Sequence, residues 1–196
     1  MADKSMILSA EAEAALLKPI DEYVGKIQKQ IDALRVDGSD KVRSLKNHIA
    51  IAKEDKNLTK EERAKIIAKD KADLEKAKSV ESANKDKVSK LISDAESYLS
   101  KHYKSDYYEK VVASCEAEKA AENASYDKIV ATIKTEHEQA LAKLSDSEEI
   151  KDEKYVYRNR LFDAQMTHES KLQEIKDRKH DAFAHKFHLI DLLRMS

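Results

Sequence analysis

Only two glycines and one proline occur in 196 residues, and there is no tryptophan. Glycine and proline punctuate structure, so a chain this poor in both can build few tight turns, and a β-domain with its many hairpins is excluded. A single cysteine, Cys115, excludes an intramolecular disulfide and fits a reducing compartment. Long apolar runs are missing too. Nothing in the sequence is long enough to span a bilayer, and the opening MADKSMILSAEAEAALL holds no unbroken apolar segment suited to export. Neither sign of charge dominates: 37 Lys and Arg stand against 38 Asp and Glu. That balance lacks the basic surplus of a protein held on nucleic acid by phosphate contacts. No glycine-rich phosphate loop, cysteine pair or HExxH is present, and the carboxylates follow solvated faces. The sequence therefore reads as non-catalytic and without a cofactor. Cys115, beside Val111 and Val112, reads as a small buried apolar residue rather than a nucleophile.

What is present is charge, at 38% of residues, together with abundant Ala, Lys, Glu and Leu. These are strong helix formers, so the expected fold is all-α. A 41% apolar share rich in alanine predicts a thin, seam-like core. The expected architecture is a single elongated domain, 1–196, of antiparallel coiled-coil hairpins, a rod rather than a ball. Caps and breakers place helices at about 9–17, 19–36, 40–56, 60–103, 106–144 and 147–195. Ser9 caps the first, and Pro19 is expected to end it near Leu17. Ile20, Val24, Ile27, Ile31 and Leu34 then recur at three-four spacing, the mark of a coiled-coil seam. VDGSD is expected to stop that helix, with Gly38 left-handed and Ser39 or Asp40 capping the next. Thr59 and Glu62 form a capping box. Asp70, Glu81 and Asn84 fall on the apolar stripe that follows, which predicts loose packing in mid-helix. LSDSEE repeats the design of LTKEE, a leucine, a hydroxyl cap and acidic residues that complement the helix dipole. Two such hairpin tips suggest a weak internal repeat. The last helix carries Tyr157, Leu161, Ala164, His168, Leu172, Ile175, Ala182, Leu189 and Leu193 on one seam. Helices of about 40 residues would each be about 60 Å long.

Two clusters stand out as candidate contacts. Tyr98, Tyr103, Tyr107 and Tyr108 surround an expected turn capped by Ser105 or Asp106, where amphipathic rings could plug the bundle end or anchor a partner. The tail, DRKHDAFAHKFHLIDLLRMS, is the second. Asp181, His185 and His188 fall at i, i+4 and i+7, a possible metal face. It lacks a fourth ligand, since His180 points elsewhere, so the face reads as a solvated flank and no metal is assigned. The apolar residues Phe187, Leu189, Ile190, Leu192, Leu193 and Met195 point to several sides of the helix and call for a cover. This stretch is too short to hold a membrane by itself and carries Asp191 in its middle.

The stretch KDRKHDAFAHKFHLIDLLRMS, and more broadly residues 155–196, resembles a segment of carbohydrate ABC-importer permeases of gut Firmicutes, in which a cytoplasmic helical extension precedes the first membrane span. The resemblance implies a cytoplasmic arm at the inner face of the cell membrane. It makes Phe187, Leu189, Ile190, Leu192, Leu193 and Met195 the junction to a membrane domain continuing beyond Ser196. The favoured function is a non-catalytic interaction or scaffold module that meets the importer's ATPase, another subunit or a cytoplasmic partner. The competing function is a self-contained structural coiled coil that forms dimers or filaments, or a helical dimer lying on membranes.

Overall fold

The structure, a computed structural model, describes residues 6–195 and is almost wholly helical, with no strand among the described residues. The all-α expectation holds. Helix α1 spans Ala10–Glu54, α2 Lys60–Tyr98, α3 Glu109–Leu141 and α4 Ser147–Met195. A π-helical stretch, Leu99–Tyr108, joins α2 to α3 without a break. The chain forms two compact units, one from the N-terminal segment up to Leu17 with Lys104–Lys186, the other from Lys18–Tyr103 with the C-terminal segment from Phe187.

Three expected boundaries are absent. Ser9 caps α1 as expected, its Oγ accepting from the Ala12 amide at 3.2 Å, but the helix does not stop near Leu17 and carries Pro19 inside it. Nor does it stop at VDGSD. Gly38 is buried and its φ is not positive. A Cβ there would lie 3.2 Å from the Glu81 Cα, so the glycine serves a close approach between helices rather than a turn. Ser39 donates back to the Arg35 carbonyl at 2.9 Å and Asp40 pairs with Arg43 at 2.7 Å, so the residues expected to cap a new helix are satisfied within the old one. The third absent boundary is the turn near residue 105. Ser105 bonds Asp106 instead, and no side chain caps the start of α3.

In the unit containing α2, the buried residues of α1 are Ile20, Val24, Ile31, Gly38, Val42, Ile49 and Ala52, and those of α2 are Asp70, Ala77, Asn84, Val88 and Ala95. From Val24 to Ile49 and from Asp70 to Ala95 the steps are the same, seven, seven, four and seven. The pairs His48–Asp70, Leu34–Asn84, Gly38–Glu81 and Tyr23–Tyr98 have residue numbers whose sums stay between 118 and 121, as antiparallel pairing requires. The two buried polar residues of the α2 stripe are satisfied: Asp70 meets His48 Nδ1 at 2.7 Å, and the Asn84 amide donates to the Leu34 carbonyl at 3.1 Å. Beside Asn84 lies an open groove of about 420 Å³, lined by Leu34, Arg35, Ser39, Glu81 and Val88.

Both hairpin tips close on caps. At α2 the Thr59 and Glu62 capping box forms with both bonds in place. At α4 the cap is Asp146, whose Oδ1 accepts from the Glu148 and Glu149 amides at 2.8 and 3.2 Å, and not a hydroxyl.

Candidate functional site

The four tyrosines divide by environment. Tyr103 and Tyr107 are buried, and Tyr107 donates from its hydroxyl to Glu13 at 3.2 Å. Tyr98 and Tyr108 are half-buried. Tyr98 stacks on Tyr23 and His102 with centroids 3.9 and 4.5 Å away, and Tyr108 lies against Phe183 at 6.1 Å. None of the four is a freely offered anchor. From Ala95 to Cys115 the buried residues recur every fourth position through Leu99, Tyr103, Tyr107 and Val111. On an α-helix of 3.6 residues per turn each such step drifts by about 40°, and the wider π-helical turn takes up that drift. The unbroken four-residue spacing is the signal in the sequence that the seam there was not purely α-helical.

The tail is covered in part by the chain itself. Leu189 and Leu193 are buried, Ile190 is half-buried, and Phe187, Leu192 and Met195 are exposed. Arg194 fixes the end of α4 by donating from Nε and Nη2 to Glu96 Oε1 at 3.0 and 2.7 Å. Arg35 of α1 also reaches the Arg194 carbonyl, at 3.5 Å, so both α1 and α2 meet the end of α4. Asp181 and His188 are exposed and His185 is half-buried, and no group of three or more His, Cys, Asp or Glu side chains among the described residues is arranged to hold a metal.

In the other unit, the α3–α4 hairpin carries a device that the sequence reading missed. His137 of α3 stacks on Tyr157 of α4 at 4.0 Å and meets Glu153 at 2.9 Å. His168 of α4 stacks on Tyr126 of α3 at 4.2 Å and meets Glu122 at 3.2 Å. Each clasp takes its histidine from one helix and a Glu-x-x-x-Tyr pair from the other, and the repeated spacing Glu122/Tyr126 and Glu153/Tyr157 was there to be read. Burial pushes the Glu122 carboxyl up, but hydrogen bonds from His168 and Lys171 and the charges they carry outweigh it and hold the group below its ordinary value.

Nearer the N-terminus, Leu8 donates its amide to the buried Ser114 hydroxyl at 2.9 Å, and Ser114 donates to Glu118. Arg178 of α4 donates to Glu118 at 2.6 Å and to Cys115 Sγ at 3.4 Å, with Glu13 3.7 Å away. The Glu118 hydrogen bond, against the cost of burial, holds the guanidinium above its already high ordinary pKa. This network ties the start of α1 to α3 and α4, and it accounts for Cys115 as a packed residue, 1% exposed.

The outward face of α4 is different in character. Its inner seam, through Tyr157, Leu161, Ala164 and His168, is partly covered. At 100° per residue, Tyr155, Phe162 and Met166 lie within about 40° of one another on the opposite side. They are 66%, 61% and 50% exposed. Three large apolar side chains in line on a solvated face are the clearest unpartnered surface of this unit.

These features describe packing and surface, and none assembles a reaction centre. No curated protein and no solved structure matches the chain. A family does: the N-terminal domain of the ABC transporter permease MglC matches residues 10–194, from the first residue of α1 to the last turn of α4, so the likeness read over 155–196 extends along nearly the whole sequence and the chain belongs to that family.

Proposed function

We propose that this domain is a non-catalytic helical interaction module of a sugar-importing ABC permease, standing at the cytoplasmic face of the membrane and docking other proteins there. The observation that carries the reading is the match to a permease N-terminal domain over residues 10–194. The surface supports it. On α4 the large apolar side chains Tyr155, Phe162 and Met166 stand exposed on one face of the helix rather than in an enclosed cavity. In the proposed setting the C-terminal end of α4 leads toward the membrane domain. Leu189 and Leu193 are buried there, while Phe187, Leu192 and Met195 are exposed.

Cross-linking with mass spectrometry tests this in the intact transporter. The domain is rich in surface lysines, so an amine-reactive reagent applied to membranes holding the whole permease complex should join it to at least one other subunit, the ATPase being the first expected. Cross-links confined to pairs of lysines within one copy of the domain would overturn the docking role.

A further inference from the structure

The exposed stripe on α4 has the pattern of a coiled-coil seam that no part of the unit covers. With Tyr155 and Phe162 at d positions, Asn159 and Met166 fall at a, while the covered Tyr157 and Ala164 fall at f, on the far side. The flanks are asymmetric. Arg158 takes the g position and Asp163 the e position, and neither has an ion-pair partner among the described residues.

We infer that a second copy of this chain packs on this face, α4 against α4 in parallel, through Tyr155, Asn159, Phe162 and Met166. Charge complementarity selects both the occupant and the direction. In a parallel pair a g residue faces the e residue five positions on in the other helix, and 158 + 5 = 163, so Arg158 of each copy meets Asp163 of the other. In an antiparallel pair g faces g and e faces e. Arg158 would then look onto the flank of Lys151 and Gln165, and Asp163 onto that of Val156 and Ser170, and neither would meet an opposite charge. A single asparagine at an a position fixes register in parallel pairs, because each amide finds its twin across the seam. The patch is short. Beyond Met166 the stripe turns polar at Glu169 and Gln173, as a 3.6-residue helix drifts away from a heptad line. So small an interface belongs to the weak class, with a dissociation constant on the order of 100 µM for the isolated chain. The inference deepens the interaction-module reading by naming one partner, and it rests on that reading only for the permease setting.

Sedimentation equilibrium and cysteine cross-linking of the full chain test it. The wild type should pass from monomer to dimer as concentration rises through about 100 µM. Arg158→Glu alone and Asp163→Lys alone should each weaken the dimer at least about five-fold, and the double exchange should restore it. Under mild oxidation Asn159→Cys should give a disulfide dimer, and Thr167→Cys, about 120° from the stripe, should not. Cys115, being buried, stays in place as an internal control. All these positions are exposed, so circular dichroism should confirm that each variant folds. A chain that stays monomeric at about 500 µM, or an Asn159→Cys yield no greater than the control, would overturn the pairing. A dimer strengthened by Arg158→Glu alone would overturn its parallel direction. Either failure would leave cross-links from the domain to the ATPase untouched, so the two readings fall separately.

Discussion

Gly25 and Gly38 lie on the same helix, yet side chains added at the two positions would meet different surroundings. A Cβ at Gly25 meets nothing within 4 Å, while one at Gly38 meets the Glu81 backbone at 3.2 Å. Alanine is favoured over glycine in a helix by about 1 kcal/mol. Gly25→Ala should therefore stabilise the chain by about that amount, and in Gly38→Ala the crowding against a neighbouring backbone should remove the gain. Thermal melts of the two variants check this, the expected order being Gly25→Ala above wild type and Gly38→Ala below Gly25→Ala. The contrast also explains why α1 was expected to break twice. Gly38 and Pro19 signal helix ends because a glycine costs about 1 and a proline about 3 kcal/mol in a helix interior. Those costs are local, and the burial of Ile20 and Val24 on one side and Val42 on the other outweighs them. A breaker read without knowledge of what its neighbours bury is over-weighted.

Among the elements, what was legible followed from how local the cause is. The Thr59 and Glu62 capping box needs only residues three apart, so it was readable and is found. The extent of α4, 147–195, was readable because its seam runs at steady three-four spacing between a clear cap and the end of the pattern. The π-helical stretch was harder to read, because Ser105, Asp106 and Glu109 mimic a helix start and compete with the four-residue spacing of the buried Tyr103 and Tyr107. The histidine clasps left only the repeated Glu-x-x-x-Tyr spacing in the sequence, since His137 and Tyr157 lie 20 positions apart and meet only once the hairpin is closed. The tip of that hairpin rests on Asp146, whose carboxylate takes two amides of the first turn of α4. Asp146→Ala should cost about 1 kcal/mol and Asp146→Asn much less, since the amide oxygen still accepts. Urea melts followed by circular dichroism would read this as a lower midpoint at unchanged slope.

Charge is the property that acts on the whole molecule. At neutral pH the chain is poised near zero net charge, at −1. Acid removes the negative half of that balance and leaves 37 Lys and Arg, joined by seven histidines, to repel one another. Several carboxyls resist the change in the folded state. Glu62 is held low by the Thr59 hydroxyl and amide, Glu116 by Lys179, and Glu122 by His168 and Lys171 in spite of its burial. A carboxyl held below its ordinary value binds fewer protons folded than unfolded near pH 4, so its contribution to stability is fully present above the unfolded value and drains away as pH falls through the folded one. The melting temperature should accordingly be flat from about pH 7 to 5 and fall from about pH 5 to 3. Added salt should soften the fall by screening the repulsion. Glu122→Gln isolates the clasp within this global effect. At pH 7 the variant should be less stable than wild type, because His168 and Lys171 lose the carboxylate they both meet. The two should converge once the pH has fallen through the lowered value of the Glu122 carboxyl, because the wild-type group is then neutral as well. Curves that stay parallel at every pH would show that Glu122 supports α4 through shape alone and that its ion pairs carry none of the acid sensitivity.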